Sequence, residues 1–217
     1  MNKELEKRRR RLAKLIGKDG IAVIPTANTR VRSRDTDYPY RPDSDFYYFT
    51  GFSEPDAVMI LAPGREDGAF IVCLRAKNPL TEIWDGHMEG LNGVKKNFGA
   101  DQSFKIEDLE PILSSLFLGR QKIFFTLGQD DVLDKTLMKS FNNVRAGQRR
   151  GGVVPSEIQA LEPLIHEMRL IKSRNEISLM KQSAKISVDA HKRVFKNCKP
   201  GVYEYQIEAD IIHEFGK

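Results

Sequence analysis

The sequence predicts an α/β fold, because short apolar segments with strand character alternate with amphipathic segments that have helical periodicity. Of the 217 residues, 40% are hydrophobic and 30% are charged, which is the composition of an ordinary globular chain. The longest apolar runs, at 58–62 and 69–74, are far shorter than the roughly 20 residues that span a bilayer. We therefore expect a globular protein with a sizeable core and no membrane partner.

The first third of the chain contains helix, strand and hairpin signals. The predicted elements are, in order, a helix at 3–16, a strand at 21–25, a polar loop at 26–45, a short aromatic strand at 46–50 and a hairpin with strands at 58–62 and 69–74. In the first helix, Leu5, Leu12, Leu15 and Ile16 form one apolar stripe. Residues 63–68 (PGREDG) have turn chemistry, which is why the strands on either side of them are expected to pair.

The middle of the chain continues the alternation and completes the predicted α/β domain near residue 150. The predicted elements are a helix at 91–98, a helix at 106–118, a strand at 122–127 and a helix at 130–142. Pro111 falls inside the second of these helices, where a proline can introduce a kink. Asp130 and Asp131 favour the start of the third helix, because acidic side chains stabilise the positive end of a helix dipole.

The last part of the sequence is predicted to be helical, without a strand. An irregular segment at 149–155 is followed by a helix at 156–162, a connector at 166–171, a long helix to about 197 and a final helix from 203. Ser173 and Glu176 have the spacing of a capping box, and residues 199–201 (KPG) end the long helix. Two amphipathic helices without a sheet lack a partner for their apolar sides. We therefore expect 173–217 to begin a second domain, in a chain that is a fragment or is completed by another chain.

The formal charge of +5 is local to the N-terminus. Residues 1–20 contain eight basic and three acidic side chains, whereas the rest of the chain contains 27 of each sign. The run from Arg8 to Arg11 lies mostly off the apolar stripe, which is typical of a solvated helix face; an acidic partner or nucleic acid is the functional alternative. Because the body of the chain has no basic surplus, we expect no nucleic-acid partner.

Local motifs for cofactor, metal or nucleophile chemistry are absent from the sequence. The chain contains neither of the two glycine-rich phosphate-binding motifs, G-x-x-x-x-G-K-[ST] and G-x-G-x-x-G. It also has no C-x-x-C pair, and its two cysteines, Cys73 and Cys198, are too few for a disulfide framework. Cys73 lies in an apolar strand and is expected in the core, and a reducing, cytoplasmic location is favoured. The His-Glu pairs at 166–167 and 213–214 do not continue to the zinc motif H-E-x-x-H.

Two aromatic features stand apart from this ordinary background. Residues 35–52 are rich in tyrosine, phenylalanine and aspartate, which is typical of a well-packed β edge with Asx turns or of a surface that faces a substrate or a subunit. The only tryptophan, Trp84, lies between Glu82 and Asp85. It is either a core residue or an interface anchor.

The same features carry a resemblance to a known family. The motifs that resemble the N-terminal domain of aminopeptidase P, the Xaa-Pro aminopeptidases, are 38–55 (YPYRPDSDFYYFTGFSEP), 82–84 (EIW) and 166–173 (HEMRLIKS), with Glu176 and Ile177. The motifs that resemble the opening helices of that family's catalytic domain are 199–201 (KPG), 204–205 (EY) and 213–215 (HEF). The resemblance covers nearly the whole chain in order.

The resemblance implies a fold and a domain organisation. Residues 1–165 would form a domain of the creatinase and aminopeptidase P N-terminal type, a mixed sheet with flanking helices that drives formation of a dimer or tetramer. Residues 166–172 would be a linker. Residues 173–217 would be the incomplete start of a pita-bread catalytic domain.

The resemblance also implies the reaction. Two metal ions, usually manganese in this family, hold a hydroxide that attacks the carbonyl of the residue before proline and releases the N-terminal amino acid. The family's metal ligands correspond to positions beyond residue 217. The resemblance therefore implies neither a catalytic residue nor a metal ligand in this chain, and we expect no peptidase activity from it alone.

Three residues match positions that the family's N-terminal domain brings near an active site. Trp84 resembles a tryptophan that reaches into a neighbouring subunit's substrate cleft, where an indole can pack against proline. Asp35 and Arg149 resemble an aspartate and an arginine of a polar network at the same place, which would hold that wall by charge-assisted hydrogen bonds. Arg150 is a competing assignment for the arginine.

The leading hypothesis is thus an Xaa-Pro aminopeptidase region that assembles subunits and gates substrate, for peptides with proline at the second position. A non-catalytic peptide- or protein-binding module of the same fold is the alternative. Nucleic-acid binding through the basic first helix is a third hypothesis, which the neutral body disfavours.

Overall fold

A computed structural model describes residues 3–147 and 152–217, which divide into two compact units, Met1–His166 and Glu167–Lys217. The helices are α1 (Lys3–Ile16), α2 (Ser44–Thr50), α3 (Pro79–Asp85), α4 (Gly90–Phe98), α5 (Leu109–Phe117), α6 (Asp131–Gly147), α7 (Glu162–Leu170), α8 (Arg174–Asn197) and α9 (Glu204–Gly216). The strands are β1 (Gly20–Pro25), β2 (Val31–Ser33), β3 (Thr36–Asp37), β4 (Val58–Leu61), β5 (Phe70–Leu74), β6 (Gln102–Lys105), β7 (Lys122–Phe124) and β8 (Glu157–Gln159).

A six-stranded mixed sheet in the order β6-β5-β4-β1-β7-β8 forms the centre of the first unit. Strand β4 pairs antiparallel with β1 and with β5, which confirms the predicted hairpin, while the other neighbouring pairs are parallel. Strand β1 is buried on both faces because helices cover the sheet on each side, and its sequence is accordingly a continuous apolar run. The predicted α/β class is confirmed.

Helices α5 and α6 cover one face of the sheet, which we call the α5–α6 face. Its core is a cluster of buried side chains that includes Ile21, Val23, Ile60, Ile71, Cys73, Leu113, Phe117, Ile123, Phe125 and Leu137. Pro111 lies in the first turn of α5, because a short 3₁₀ helix (Ile106–Asp108) precedes that helix. Backbone N–H groups in a first turn have no partner within the helix, so proline is tolerated there.

Helices α1 and α2 pack together over the opposite face, and here the predicted strand at 46–50 is wrong. The segment is helix α2, because Asp43 caps its N-terminus by accepting hydrogen bonds from the backbone N–H groups of Asp45 (2.8 Å) and Phe46 (2.9 Å). Gly51 ends the helix in the left-handed conformation, with φ of 66°. Phe46 and Phe49 lie one helical turn apart and are fully buried.

The prediction of a solvated basic face on α1 is wrong for two of its four arginines. Arg9 is 5% exposed, donates to the carbonyl oxygen of Phe49 (2.7 Å) and lies over the ring of Phe70, with its burial lowering the pKa to about 10. Arg8 donates to the carbonyl oxygen of Tyr48 (3.0 Å). Both arginines satisfy carbonyl groups at the C-terminal end of α2, where a cation is favourable. Arg10 and Arg11 are exposed as expected.

The remaining differences between the predicted and the observed elements involve short strands and the segments next to them. The predicted helix at 156–162 is wrong, because Glu157–Gln159 form β8, which pairs with β7 (Ile123 opposite Ile158). The predicted connector at 166–171 is also wrong, because α7 extends to Leu170. Strands β2, β3 and β6 were not expected either. All of these strands have at most four residues, so they carry too little sequence periodicity to be recognised.

The second unit contains the predicted pair of helices. Ser173 and Glu176 form the expected capping box of α8. Arg193 on α8 joins Asp210 (2.8 Å) and Glu214 (3.0 Å) on α9, and these two carboxylates raise the pKa of its guanidinium. Large apolar side chains of this unit remain exposed, among them Leu179, Met180, Val188, Phe195, Ile212 and Phe215.

Candidate functional site

The carboxyl ends of β1, β5 and β7 lie at one edge of the sheet, since these strands run in the same direction. The segments that follow them carry the residues proposed from the sequence. Asp35 follows β1, and Trp84 follows β5. Connections at this edge of an α/β sheet are the usual position of a functional site.

Trp84 is 87% exposed on the short helix α3. Leu80 and Ile83 are exposed to a similar degree, at 74% and 72%. Positions separated by three and four residues share one side of a helix, so these three side chains form a continuous apolar face, which we call the α3 face. Such a contiguous exposed apolar surface typically marks an interaction site.

The base of α3 is held by a set of polar contacts. Asn78 caps the helix by accepting from the backbone N–H of Leu80 (3.0 Å), and Pro79 starts it. Glu82 accepts from the backbone N–H of Met88 (2.9 Å) and pairs with Lys77 (2.9 Å). The hydrogen bond from Met88 and then that from Lys77 lower the pKa of Glu82. The carboxylate is therefore charged at neutral pH and fixes the two ends of the helix relative to each other.

Arg75 connects α3 to the sheet. It is the first residue after β5, and its side chain lies 3.6 Å from a carboxylate oxygen of Asp56 and 3.6 Å from one of Asp85, the neighbour of Trp84. Its Nε is buried and makes no hydrogen bond with any residue that the structure describes. Sequence reasoning missed Arg75, Leu80 and Ile83; the apolar spacing after the Asn78-Pro79 start was the available signal for the last two.

Asp35 lies in the turn between β2 and β3, beside Arg34, whose backbone has a positive φ of 41°. The side chain of Asp35 is exposed and has no ion pair or hydrogen bond within the described ranges of the chain. Arg149, and also its competitor Arg150, lie outside the described residues. The structure thus places Asp35 and Trp84 after two strands that end at the same edge, without a bond that joins them.

Most aromatic residues of the 35–52 segment serve packing. Phe46, Phe49 and Phe52 are buried, and Tyr40 hydrogen-bonds Thr26 through its hydroxyl (2.6 Å). Burial raises the pKa of Tyr40. Tyr38 and Tyr47 are exposed, so the segment is mainly a packing element with a partly aromatic surface.

The described residues offer no alternative catalytic centre of a familiar kind. Within 3–147 and 152–217, no group of three or more His, Cys, Asp or Glu side chains is arranged to hold a metal ion. Cys73 is buried, as predicted, and burial raises the pKa of its thiol to about 12, which makes it a poor nucleophile. Among helices of the described segments, none has the length and apolar character needed to cross a bilayer.

Comparisons with known proteins match most of the chain. Residues 5–124 match the family model "Aminopeptidase P, N-terminal domain". The Xaa-Pro aminopeptidase of Escherichia coli is 33% identical over 215 residues, which are 99% of this chain and 49% of that relative. The chain thus spans about half the length of the curated relatives it matches.

Solved structures also match nearly all of this chain over about half of their own length. The aminopeptidase PepP of Pseudomonas aeruginosa superposes with a TM-score of 0.95 at 40% identity, over 99% of this chain and 48% of that one. The zinc-substituted aminopeptidase P of Escherichia coli in complex with product superposes with a TM-score of 0.94 at 31% identity, over 100% of this chain and 49% of that one.

Proposed function

This chain belongs to the aminopeptidase P family, and we propose that it is the subunit-assembling and substrate-gating region of an Xaa-Pro aminopeptidase. The substrates would be peptides with proline at the second position. Residues 1–165 would form the assembly domain and 173–217 the first helices of a pita-bread catalytic domain, and the predicted linker at 166–172 is largely the end of α7. The exposed apolar residues of α8 and α9 support the last assignment, because a further layer of structure would cover them.

The α3 face is the observation that carries the proposal. An isolated chain gains nothing from exposing a tryptophan, a leucine and an isoleucine on one side of a well-anchored helix. A partner surface that covers them recovers the hydrophobic free energy, and aromatic anchors contribute most at such interfaces. We propose that the partner is a second subunit, and that Trp84 forms an apolar wall of its substrate cleft.

Asp35 and Arg149 would belong to the same gate. An exposed carboxylate such as that of Asp35, which has no partner among residues 3–147 and 152–217, is available for a residue of another subunit. An Arg–carboxylate pair would orient the wall by charge-assisted hydrogen bonds.

The family is one of metalloaminopeptidases, and the proposed cofactor is a pair of manganese ions. When bound, such a pair supplies an activated hydroxide and stabilises the developing oxyanion. The residues described here do not fit that cofactor, because they contain no cluster of metal-ligating side chains. We assign no step of the reaction to them and propose that the 217-residue chain alone is inactive. Turnover of an Xaa-Pro peptide by this chain with manganese would overturn that point.

We propose a cytoplasmic location. The two cysteines are unpaired, one buried and one exposed, which suits a reducing compartment.

Sedimentation of the chain tests the assembly proposal. The replacement Trp84→Ala should convert a dimer or tetramer to smaller species, whereas Tyr47→Ala, which removes another half-exposed aromatic side chain, should leave assembly unchanged. Equal sedimentation of wild type and Trp84→Ala would contradict the proposed role of α3.

A non-catalytic binding module of the same fold remains the second candidate. It is favoured by the combination of an apolar α3 face with no metal-ligating group in the described ranges. In that case the α3 face would bind a peptide segment while the chain stays monomeric. Nucleic-acid binding is further weakened, because Arg8 and Arg9 are engaged by α2.

A further inference from the structure

A crevice of about 710 Å³ opens at the carboxyl edge of the sheet, within the first unit, and it is not part of the α3 face. We call it the edge crevice. Its walls come from the segment after β1, the start of β4, and the first turns of α5 and α6. The volume is within the range of pockets that bind small molecules, roughly 300–1,000 Å³.

The topology explains why a crevice forms here. The chain leaves β1 toward α2, on the face opposite α5 and α6, whereas it leaves the adjacent parallel strand β7 toward α6. The two connections therefore diverge to opposite faces and leave a gap between Thr29 and Val132. Such a divergence point is where open α/β sheets characteristically bind ligands.

The lining combines an apolar floor with an acidic rim. Pro25, Val58, Leu109 and Leu133 supply the floor. The charged lining residues are four carboxylates, Asp56, Glu107, Glu110 and Asp130, and a single guanidinium, that of Arg75.

Two of the four carboxylates stabilise helices α5 and α6. Glu110 pairs with Lys139 (2.7 Å), and Asp130 caps α6 and accepts from Asn28 (2.7 Å). Burial acts to raise the pKa of Asp130, but the hydrogen bonds from the backbone of Leu133 and from Asn28 bring it below its ordinary value. Both groups thus stay charged at neutral pH while contributing to the fold.

Of the other two carboxylates, Asp56 forms an ion pair with Arg75 at 3.6 Å, whereas Glu107 is available. Glu107 makes no side-chain hydrogen bond or ion pair with any described residue of the chain. An acidic cleft with low-dielectric walls concentrates cations. A ligand with one positive charge would give Glu107 a partner.

We propose that the edge crevice binds a small organic cation, a protonated amine attached to an apolar body, with the amine at Glu107 and the body on the apolar floor. The site is separate from the peptidase role proposed above, and its test uses binding alone. Failure of either proposal therefore leaves the other standing.

Three compounds with the same apolar body test the charge requirement. Phenethylamine is cationic, N-acetylphenethylamine is neutral and phenylpropionate is anionic. Titration of the whole chain, followed by backbone amide NMR shifts, should give saturable shifts at Thr29 and Val132 with phenethylamine only. Equal binding of the neutral compound, or no saturable shift with the amine, would overturn the proposal.

Two variants test the location. Glu107→Gln should weaken phenethylamine binding about tenfold, since it removes a charged hydrogen-bond acceptor. Val132→Trp changes an exposed residue at the crevice wall and should block binding by filling the space. Glu66→Gln, which neutralises an exposed acid in the turn between β4 and β5, is the matched control and should bind as wild type. Unchanged affinity in both crevice variants would place the amine elsewhere and contradict the assignment.

Discussion

Helix α1 buries a charged side chain, whereas helix α3 exposes a large apolar one. On α1 an arginine is 5% exposed, whereas on α3 the only tryptophan of the chain is 87% exposed. Arg9 has carbonyl and aromatic partners in the same unit, and Trp84 has none that covers it. The comparison teaches that a charge is buried where the fold supplies acceptors for it, whereas the exposed indole supports the proposal that α3 interacts outside the unit.

The largest expected effect comes from Arg120, which joins the segment after α1 to the sheet. Its guanidinium donates to the carbonyl oxygens of Lys18, Gly20 (3.3 Å) and Pro63 (2.6 Å). Arg120→Ala leaves these acceptors without a donor and should lower the free energy of unfolding in urea by about 3 kcal/mol. A loss below about 0.5 kcal/mol, the level of an ordinary surface substitution, would show that buried arginines do not stabilise this fold.

Arg9 tests the buried charge on α1 itself. Arg9→Met keeps the apolar stem but removes the hydrogen bond to Phe49 and the contact with the Phe70 ring, so we expect a loss of about 2 kcal/mol in urea unfolding. Arg10→Met is the matched control. Its arginine is exposed and pairs with the neighbouring Glu6, so the change should stay within about 0.5 kcal/mol. Equal effects of the two substitutions would remove the distinction between buried and solvated arginines.

Cys73 lies in β5, the strand that precedes α3, and the pKa of its thiol reports how far water is excluded from the core there. Because burial raises the pKa of its thiol from 9.0 to about 12, the unfolded chain loses this proton first as the pH rises above 9.0. The contribution of Cys73 to stability is complete below pH 9.0 and should fall by about 1.4 kcal/mol per pH unit between the two pKa values.

The measurement for Cys73 is urea unfolding over this pH range, with Cys73→Ala as the reference that lacks the thiol. Its curve should decline less steeply than that of the wild type. Parallel curves would mean that the thiol ionises as readily in the native state as in the unfolded state.

Asp43 has a smaller effect, through the helix that receives Arg8 and Arg9. Asp43→Ala removes the N-cap of α2 and should lower the free energy of unfolding by about 1 kcal/mol. Asp43→Asn, which retains a capping oxygen, should recover most of this loss. If the asparagine variant is as unstable as the alanine variant, the carboxylate has a role other than capping.

Sequence signals predicted the long helices and the hairpin correctly. They failed where contacts between side chains from distant segments determine the structure. Helix α1, the β4–β5 hairpin and the capped start of α8 were predicted because their signals lie within a few neighbouring residues. Helix α2 was misassigned as a strand, since aromatic residues favour strands and the Asp43 cap and Gly51 terminus were not weighed.

The candidate site was predicted less completely than the fold. Trp84 was singled out by its polar neighbours and by resemblance, but its exposure depends on α3 projecting from the sheet edge. The contacts of Arg75 with Asp56 and Asp85 were invisible in the sequence, because they bring together residues from both sides of β5. The burial of Arg9 was missed for the same reason: its acceptor is 40 residues away.

The central claim is that a second subunit covers Trp84. Because the chain contains a single tryptophan, acrylamide quenching of its fluorescence reports on that residue alone. The account predicts that quenching is strong in dilute chain and decreases at concentrations where sedimentation shows a dimer or tetramer. Strong quenching that persists in the assembled species would contradict it.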